Sequence, residues 1–345
     1  MEKELVTHAG IDYFGISAGK FRVNPLVALS SIGKLFRGFW QSWRKIADFQ
    51  PDVCLVTGGY VCPPVVAVCG LKRIPVLVYL PDMVPGWAIR GLSYPAKRVA
   101  ISFPSVARFF GGEAPQGKAV VTGYPVRAGL VEAAADRAAA RTQLAAALDR
   151  LSLADERDLL DGQMLPMVLI WGGSQGAHSI NRATWAMLAE TLPHAHIVHV
   201  VGSRDWPLYA KEAEADVQTL PDNLRRRYHP IAYLHSEMTL ALAAADVSIA
   251  RAGASTLGEF PVAKLPSILV PLPFAGVNQA SNADELAQRG GALIVQDGAL
   301  STALAPTLLA LLANVDEREK MENSLGEIAM PNAALRIAQL LVEIS

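Results

Sequence analysis

The sequence predicts an α/β protein built from two parallel-sheet units. Three observations predict it. Short apolar runs of strand length alternate with helical patterns along most of the chain. Glycine-rich or small-residue turns close several of these runs, at Thr57–Val61, Gly172–Gly176 and Arg251–Thr256. An alanine-rich, charged stretch at 129–164 separates the two series. A length of 345 residues also suits two domains. Two open parallel sheets imply a cleft between them for ligand.

Residues 11–18 alternate enough to read as a strand. Asn24-Pro25 then supplies an N-cap and a first-turn proline for a helix to about Asp48. That helix carries Leu29, Ile32, Leu35, Phe36, Phe39, Trp40 and Trp43 at helical spacing, interleaved with Lys34, Arg37, Arg44 and Lys45. It reads either as an amphipathic helix on a sheet or as a surface helix on an anionic membrane. Strands follow at 52–56, 74–80, 98–103 and 119–121, the first leading through Gly58-Gly59 into a helix ending near Cys69. Residues 129–164 read as a helical linker without chemistry, Ala133–Arg150 being a good helix former.

The second series opens at Met167. Val168–Trp171 reads as a buried strand, Gly172–Gly176 as a tight loop, and Ile180, Met187, Leu188 and Leu192 as one face of a helix. Strand, glycine turn and helix leave free N–H groups at the positive end of a helix dipole, a phosphate site built without metal. A side chain in the loop would hold a phosphate away from the backbone; Ser174 adds a hydroxyl donor. The loop is neither GxGxxG nor a P-loop, and the plain alternative is a tight βα turn. Further strands are expected at 196–201, 247–250, 267–270 and 293–295, a short apolar piece at 231–234, a helix at 238–245 and a final amphipathic helix at 332–344.

Composition narrows the classes. Hydrophobic residues make up 51% and charged residues 18%, as in a globular protein with large cores. A net charge of −1 argues for no nucleic-acid partner. No apolar run reaches the roughly 18 residues of a membrane span, and Met1–Glu4 opens no signal peptide. Cys54, Cys62 and Cys69 read as reduced, half-buried thiols, so a structural metal site is not expected.

Five blocks then coincide with one family. Gly58–Val61, Gly123–Arg127, Gly172–Ala177 with Asn181, Arg251–Glu259, and Val270-Pro271 followed by Asn278–Ala283 resemble, in family order and across nearly the whole chain, the MurG family. These are the UDP-N-acetylglucosamine transferases that convert lipid I to lipid II in peptidoglycan synthesis. The resemblance implies a GT-B fold, two Rossmann-like domains facing across a cleft. It implies an inverting transfer of GlcNAc from UDP-GlcNAc to the C4 hydroxyl of undecaprenyl-linked lipid I. Gly173, Ser174 and Gln175 would hold the diphosphate as its charge grows. Glu259 would accept both ribose hydroxyls, although a carboxylate early in a helix is also favoured by the dipole alone. Arg127 would meet phosphate or uracil, and Gln279 sugar hydroxyls. The Leu234 backbone would meet uracil, and Ala254, Ser255, Thr256 and Leu257 would line the nucleotide. No Asp-x-Asp is present, which fits a site without metal or other cofactor.

The resemblance further implies domains at 1–128 and 165–329, the linker at 129–164, and a tail at 330–345 packing back on the first domain. It places the protein peripherally on the cytoplasmic face of the plasma membrane, in cell-wall growth, shape and division. The helix at 25–48 then sits where the family has its membrane patch, through Lys34, Phe36, Arg37, Phe39, Trp40, Trp43 and Arg44.

The chain departs from the family twice. Its start shows no Gly-Gly-Thr-Gly-Gly-His loop, and Met1–Val6 aligns inside the family's first domain. The expectation is a late start or a truncated copy, with a first sheet short of its central strand. The loop's histidine is missing with it, so no general base is assigned. Second, Tyr79-Leu80-Pro81-Asp82 stands where the family has His-Glu-Gln-Asn. Asp82 accepts from sugar hydroxyls but cannot donate, and it is a candidate base. Rival readings are another GT-B glycolipid transferase, a UDP-GlcNAc 2-epimerase, or a UDP-GlcNAc-binding protein without transfer.

Overall fold

The structure, a computed structural model, describes residues 6–7, 10–17, 25–59, 61–150, 165–173, 176–273 and 278–345. It divides into two compact units. The first holds Met1–Leu80, Pro85–Val121 and Leu335–Ser345; the second holds Pro81–Val84 and Thr122–Ala334.

The first unit is a four-stranded parallel sheet, β1 (Cys54–Val56), β2 (Val76–Leu80), β3 (Arg98–Ile101) and β4 (Ala119–Val121), in that spatial order. All five residues of β2 are buried, as continuous apolar strands are when both faces of a parallel sheet are covered. Helices α1 (Pro25–Phe49), α2 (Cys62–Leu71) and α3 (Trp87–Ser93) belong to this unit. So does most of the carboxy-terminal helix, Ala333–Ile344. Its Ile337, Leu340 and Ile344 share one helical face and pack with Leu77, Tyr79 and Ala100. Lys97 Nζ donates to the Ile344 carbonyl at 2.9 Å, capping that helix end. The three cysteines are free thiols, Cys69 buried and the others half-buried.

The expected strand at 11–18 is not formed: residues 11–17 carry no regular structure. They lie against α1, with Ser17 N donating to Gln41 Oε1 at 2.8 Å. Gly38 permits this, since a Cβ there would sit 2.2 Å from the Ser17 carbonyl. Strand-like alternation needs a ladder partner, and the segment has none among the described residues.

The second unit is a six-stranded parallel sheet in the order β10-β9-β8-β5-β6-β7. The strands are β5 (Met167–Trp171), β6 (His196–Val200), β7 (Tyr228–Ile231), β8 (Val247–Ala250), β9 (Ser267–Leu269) and β10 (Ala292–Ile294). Six helices of this unit matter below: α4 (Arg137–Arg150), α5 (His178–Thr191), α6 (Glu237–Ala244), α7 (Thr256–Ala263), α8 (Gln279–Gln288) and α9 (Leu300–Ala313). Val168 and Ile170 join Ile180, Leu188, Ile197, Ile249 and Leu308 in one buried cluster. No single helix among the described residues is long and apolar enough to cross a bilayer.

Two boundaries differ from the sequence reading. The division falls after Val121, and Thr122 onward, including the described part of the expected linker 129–164, belongs to the second unit. Ala140, Leu144, Ala147 and Leu148 are buried on one face of α4, which packs on α6. Arg141 donates to Asp246 Oδ2 at 2.5 Å and to the Ala244 carbonyl at 3.1 Å. Asp246 Oδ2 also accepts from Met167 N at 2.7 Å. Small residues that read as featureless let the helix approach closely. The apolar piece expected at 231–234 is also displaced: the strand is Tyr228–Ile231, entered from the charged stretch Asp222–Arg227.

Candidate functional site

Strand order locates the site. From β5 the chain builds outward through β6 and β7 on one side, then through β8, β9 and β10 on the other. Ligands of open parallel sheets bind beyond the carboxyl ends where the order reverses. Here that point lies between β5 and β8, paired from Val168↔Val247 to Trp171↔Ala250. The loops leaving them are Gly172–Gly176 and Arg251–Ser255.

The β5 loop is shaped by close approach. A Cβ on Gly176 would lie 2.4 Å from the Val201 carbonyl, and one on Gly172 2.3 Å from Ala177 Cβ. Gly173 and Gly176 both hold φ +86°, which side-chain-bearing residues resist. Ala177 at the N-cap offers α5 no side-chain acceptor, so its first N–H groups point out of the helix as an anion site does. Ser174 and Gln175 lie outside the described residues. Asn181 is a brace: its Nδ2 donates to the Val201 carbonyl at 3.0 Å and to Asp205 Oδ2 at 3.2 Å. His199 Nε2 lies 3.0 Å from Asn181 Oδ1, and Nδ1 lies 2.9 Å from the Tyr228 hydroxyl. Since Asn181 Oδ1 can only accept, Nε2 carries the proton and Nδ1 accepts from Tyr228. Complete burial lowers the His199 pKa to about 3, keeping it neutral.

The β8 side holds the carboxylate. Gly258 in α7 is required because a Cβ would sit 2.7 Å from Tyr124 Cβ. Gly123, at φ +87°, avoids Met330 in the same way. The two glycines seat the Gly123–Arg127 segment on α7, and Arg127 Nε meets Glu259 Oε1 at 2.6 Å. The arginine side chain is 37% exposed and the glutamate 3%. Burial raises the Glu259 pKa against the opposing pull of Arg127 and the Ser255 hydroxyl. Burial and the Glu259 charge raise that of Tyr124. Glu259 Oε2 is buried without a hydrogen-bond partner among the described residues. An unsatisfied buried acceptor costs about 1–3 kcal/mol, which a hydroxyl-bearing ligand would recover. A cavity of about 670 Å³ opens beside Arg127, lined also by Glu132, Gln143, His235, Ser236 and Thr239.

The other expected site residues divide. Thr256 and Leu257 are buried, and the Thr256 hydroxyl donates to the Gly253 carbonyl at 2.7 Å. Their side chains therefore do not line a ligand; Ala254 and Ser255, half-buried, reach the surface. The Leu234 side chain is buried too. Gln279 Oε1 accepts from Leu272 N at 3.0 Å. Asp82 belongs to the second unit, where Asn282 Nδ2 donates to its Oδ1 at 3.0 Å and Asn282 Oδ1 accepts from Met83 N at 3.0 Å. Asn278 Nδ2 donates to the Val84 carbonyl at 2.6 Å. On α1, Lys34, Phe36, Arg37, Trp40, Trp43 and Arg44 are exposed and Phe39 is half-buried. The sequence reading included Tyr124 in a family block without a role and did not find Ser179 or Asp297; only contacts in the folded chain reveal what they do. No cluster able to hold a metal ion occurs among the described residues.

Residues 167–337 match the glycosyltransferase family 28 C-terminal domain. The chain is 37% identical to a UDP-N-acetylglucosamine–N-acetylmuramyl-(pentapeptide) pyrophosphoryl-undecaprenol N-acetylglucosamine transferase of Roseiflexus sp. (strain RS-1), over 99% of this chain and 81% of that one. It is 32% identical to the protein of the same name in Desulfitobacterium hafniense (strain Y51), covering 99% and 88%. Among solved structures, Acinetobacter baumannii MurG superposes with a TM-score of 0.70 at 25% identity, covering 99% and 88%. A UDP-GlcNAc 2-epimerase from Neisseria meningitidis, at 13% identity and a TM-score of 0.67, shares the fold.

Proposed function

Because this chain belongs to the MurG family of UDP-N-acetylglucosamine transferases, we propose that it moves GlcNAc from UDP-GlcNAc to the C4 hydroxyl of lipid I, giving lipid II for peptidoglycan. It is a hexosyltransferase of the GT-B fold. One observation carries the assignment to these residues: the buried Glu259 Oε2 at the switch point, beside Arg127 and without a hydrogen-bond partner among the described residues.

The residues divide the donor between them. Glu259 accepts from the ribose hydroxyls, and Arg127 favours its charged form against the effect of burial. The Gly172–Gly176 loop and the start of α5 take the diphosphate. As the acceptor oxygen attacks the anomeric carbon, the bond to UDP breaks and negative charge grows on the diphosphate. N–H groups at a helix start stabilise that charge more than the ground state. Dipole and hydrogen bonds suffice for this role, so the reaction needs no metal. Gln279 reaches the sugar, and the cavity beside Arg127 receives the base end near Leu234. Asp82, its Oδ1 fixed by Asn282, is the group we propose to contact the sugar or take the acceptor proton.

The exposed aromatics and bases of α1 suit an anionic lipid surface and support a peripheral position at the cytoplasmic face of the membrane that carries lipid I. Calorimetry with UDP-GlcNAc, and UDP-glucose as control, followed by transfer to a lipid I analogue in EDTA, tests the proposal. Selective binding with turnover is expected. Binding without turnover would leave a nucleotide-sugar-binding protein, and no binding would remove the reading.

A further inference from the structure

A second arginine at the switch point does something different. Arg251 follows β8, and its guanidinium is committed on three sides. Nη1 pairs with Asp297 Oδ1 at 2.5 Å and donates to the Val270 carbonyl at 3.2 Å. Nη2 donates to Ser179 Oγ at 2.7 Å. Ser179 Oγ in turn donates to the same Asp297 Oδ1 at 2.7 Å. The arginine side chain is only 11% exposed and the aspartate 22%. Its charge is answered by Asp297, so it is poorly placed to serve as a phosphate ligand despite its position.

The partners lie far apart in sequence and side by side in the fold. Ser179 is the second residue of α5, in the first turn after the glycine loop. Val270 follows β9, and Asp297 follows β10 at the approach to α9. One planar fork thus joins the ends of β8, β9 and β10 to the start of α5. The two turns it links are the phosphate end and the ribose end of the site described above.

We propose that Arg251, Ser179 and Asp297 are positioning residues that set the spacing between the diphosphate-binding start of α5 and the ribose-binding start of α7. The proposal rests on the reading that this crevice takes a nucleoside diphosphate. Misplacement of about 1 Å costs on the order of 100-fold in catalysis, so a rigid clamp between two halves of one ligand has a function. A guanidinium serves because its donors are fixed in a plane; a lysine ammonium at the same place keeps the charge and loses the fork.

The test compares a ligand that touches one end with a ligand that spans both. Dissociation constants for uridine and for UDP are measured on wild type, Arg251→Lys and Asp297→Asn, with KM for UDP-GlcNAc alongside. Expected are uridine affinities within twofold of wild type, a roughly tenfold loss for UDP, and a KM rising in parallel. A residue that merely supports the fold would move uridine and UDP together. Equal losses for the two ligands, or no loss for either in folded variants, would overturn the proposal. Ser179→Ala removes one hydroxyl and keeps the ion pair; it carries the test if Arg251→Lys does not fold, with about a threefold selective loss for UDP. Wild-type protein that binds neither ligand would overturn the nucleotide reading, and this proposal with it. Wild-type binding followed by equal losses would overturn the clamp alone.

Discussion

Two of the arginine–carboxylate pairs in the second unit stand at the candidate site, and they are built to opposite rules. Arg251 and Asp297 are closed: Arg251 also reaches Ser179 and the Val270 carbonyl, and the Ser179 hydroxyl serves both members of the pair. Arg127 and Glu259 are open: the arginine is more than a third exposed, and one carboxylate oxygen is buried with no hydrogen-bond partner among the described residues. Similar chemistry thus yields a brace in one place and a binding group in the other. The difference lies in whether the polar atoms are already satisfied. A satisfied network rigidifies, whereas an orphaned acceptor stores a cost that a ligand can remove.

The largest expected effect breaks the open pair. Glu259→Ala should lower kcat/KM for UDP-GlcNAc about 100-fold, because two hydrogen bonds to a charged acceptor are lost at about 1.5–3 kcal/mol each, before partial compensation. The thermal midpoint should scarcely fall, since an unsatisfied buried oxygen leaves with the side chain. A collapsed midpoint with unchanged kinetics would make Glu259 a structural residue.

Arg127→Ala sharpens the comparison through pH. In wild type, burial already raises the Glu259 pKa, so donor binding should weaken as pH falls through a limb above the ordinary carboxylate range. Without Arg127 that limb moves higher. The stability cost should grow with pH, as a folded-state pKa above the unfolded value requires. It should be small near pH 4 and about 2 kcal/mol near pH 8, after discounting for the exposed arginine. Urea midpoints at both values and a donor-binding pH profile measure this.

His199 offers an uncharged brace for contrast. Its folded pKa of about 3 lies below the unfolded value of 6.5. Its contribution is therefore present above pH 6.5 and lost as pH falls toward 3, by up to about 1.4 kcal/mol per pH unit. His199→Gln should flatten the slope of stability between those values, and an unchanged slope would assign it elsewhere. The smallest effect on the site concerns α1. Phe36→Ser with Trp40→Ser should leave UDP-GlcNAc affinity within twofold while weakening flotation with anionic vesicles several-fold. Equal flotation would remove the membrane role of this face.

Much of this was legible along the chain. Alternating strands and helices, the two glycine turns and the amphipathic tail are local patterns, and local patterns survive without knowledge of neighbours. Leu77 and Leu80 read as a buried strand because nothing polar interrupts them, whereas Glu259 stood out only through the family resemblance, since its place early in a helix is also favoured by the dipole alone. The reading stopped where meaning depends on a partner. Residues 11–17 alternate like a strand, yet a strand exists only if another edge accepts it. Helix α4 read as a linker because alanine carries no sign of what it touches. Thr256 and Asn181 lie in blocks that resemble binding motifs, yet one hydroxyl closes its own turn and the other side chain braces β6.

The sequence by itself determined the fold class, the order of the elements and the two turns that lead to the site, because backbone conformation and hydrophobic spacing are written residue by residue. Only the tertiary structure decided which polar groups are satisfied. Arg251 meets Asp297 across 46 positions, and Arg127 meets Glu259 across 132. No local rule sees contacts at that separation, and they determine which arginine braces and which carboxylate waits for a ligand.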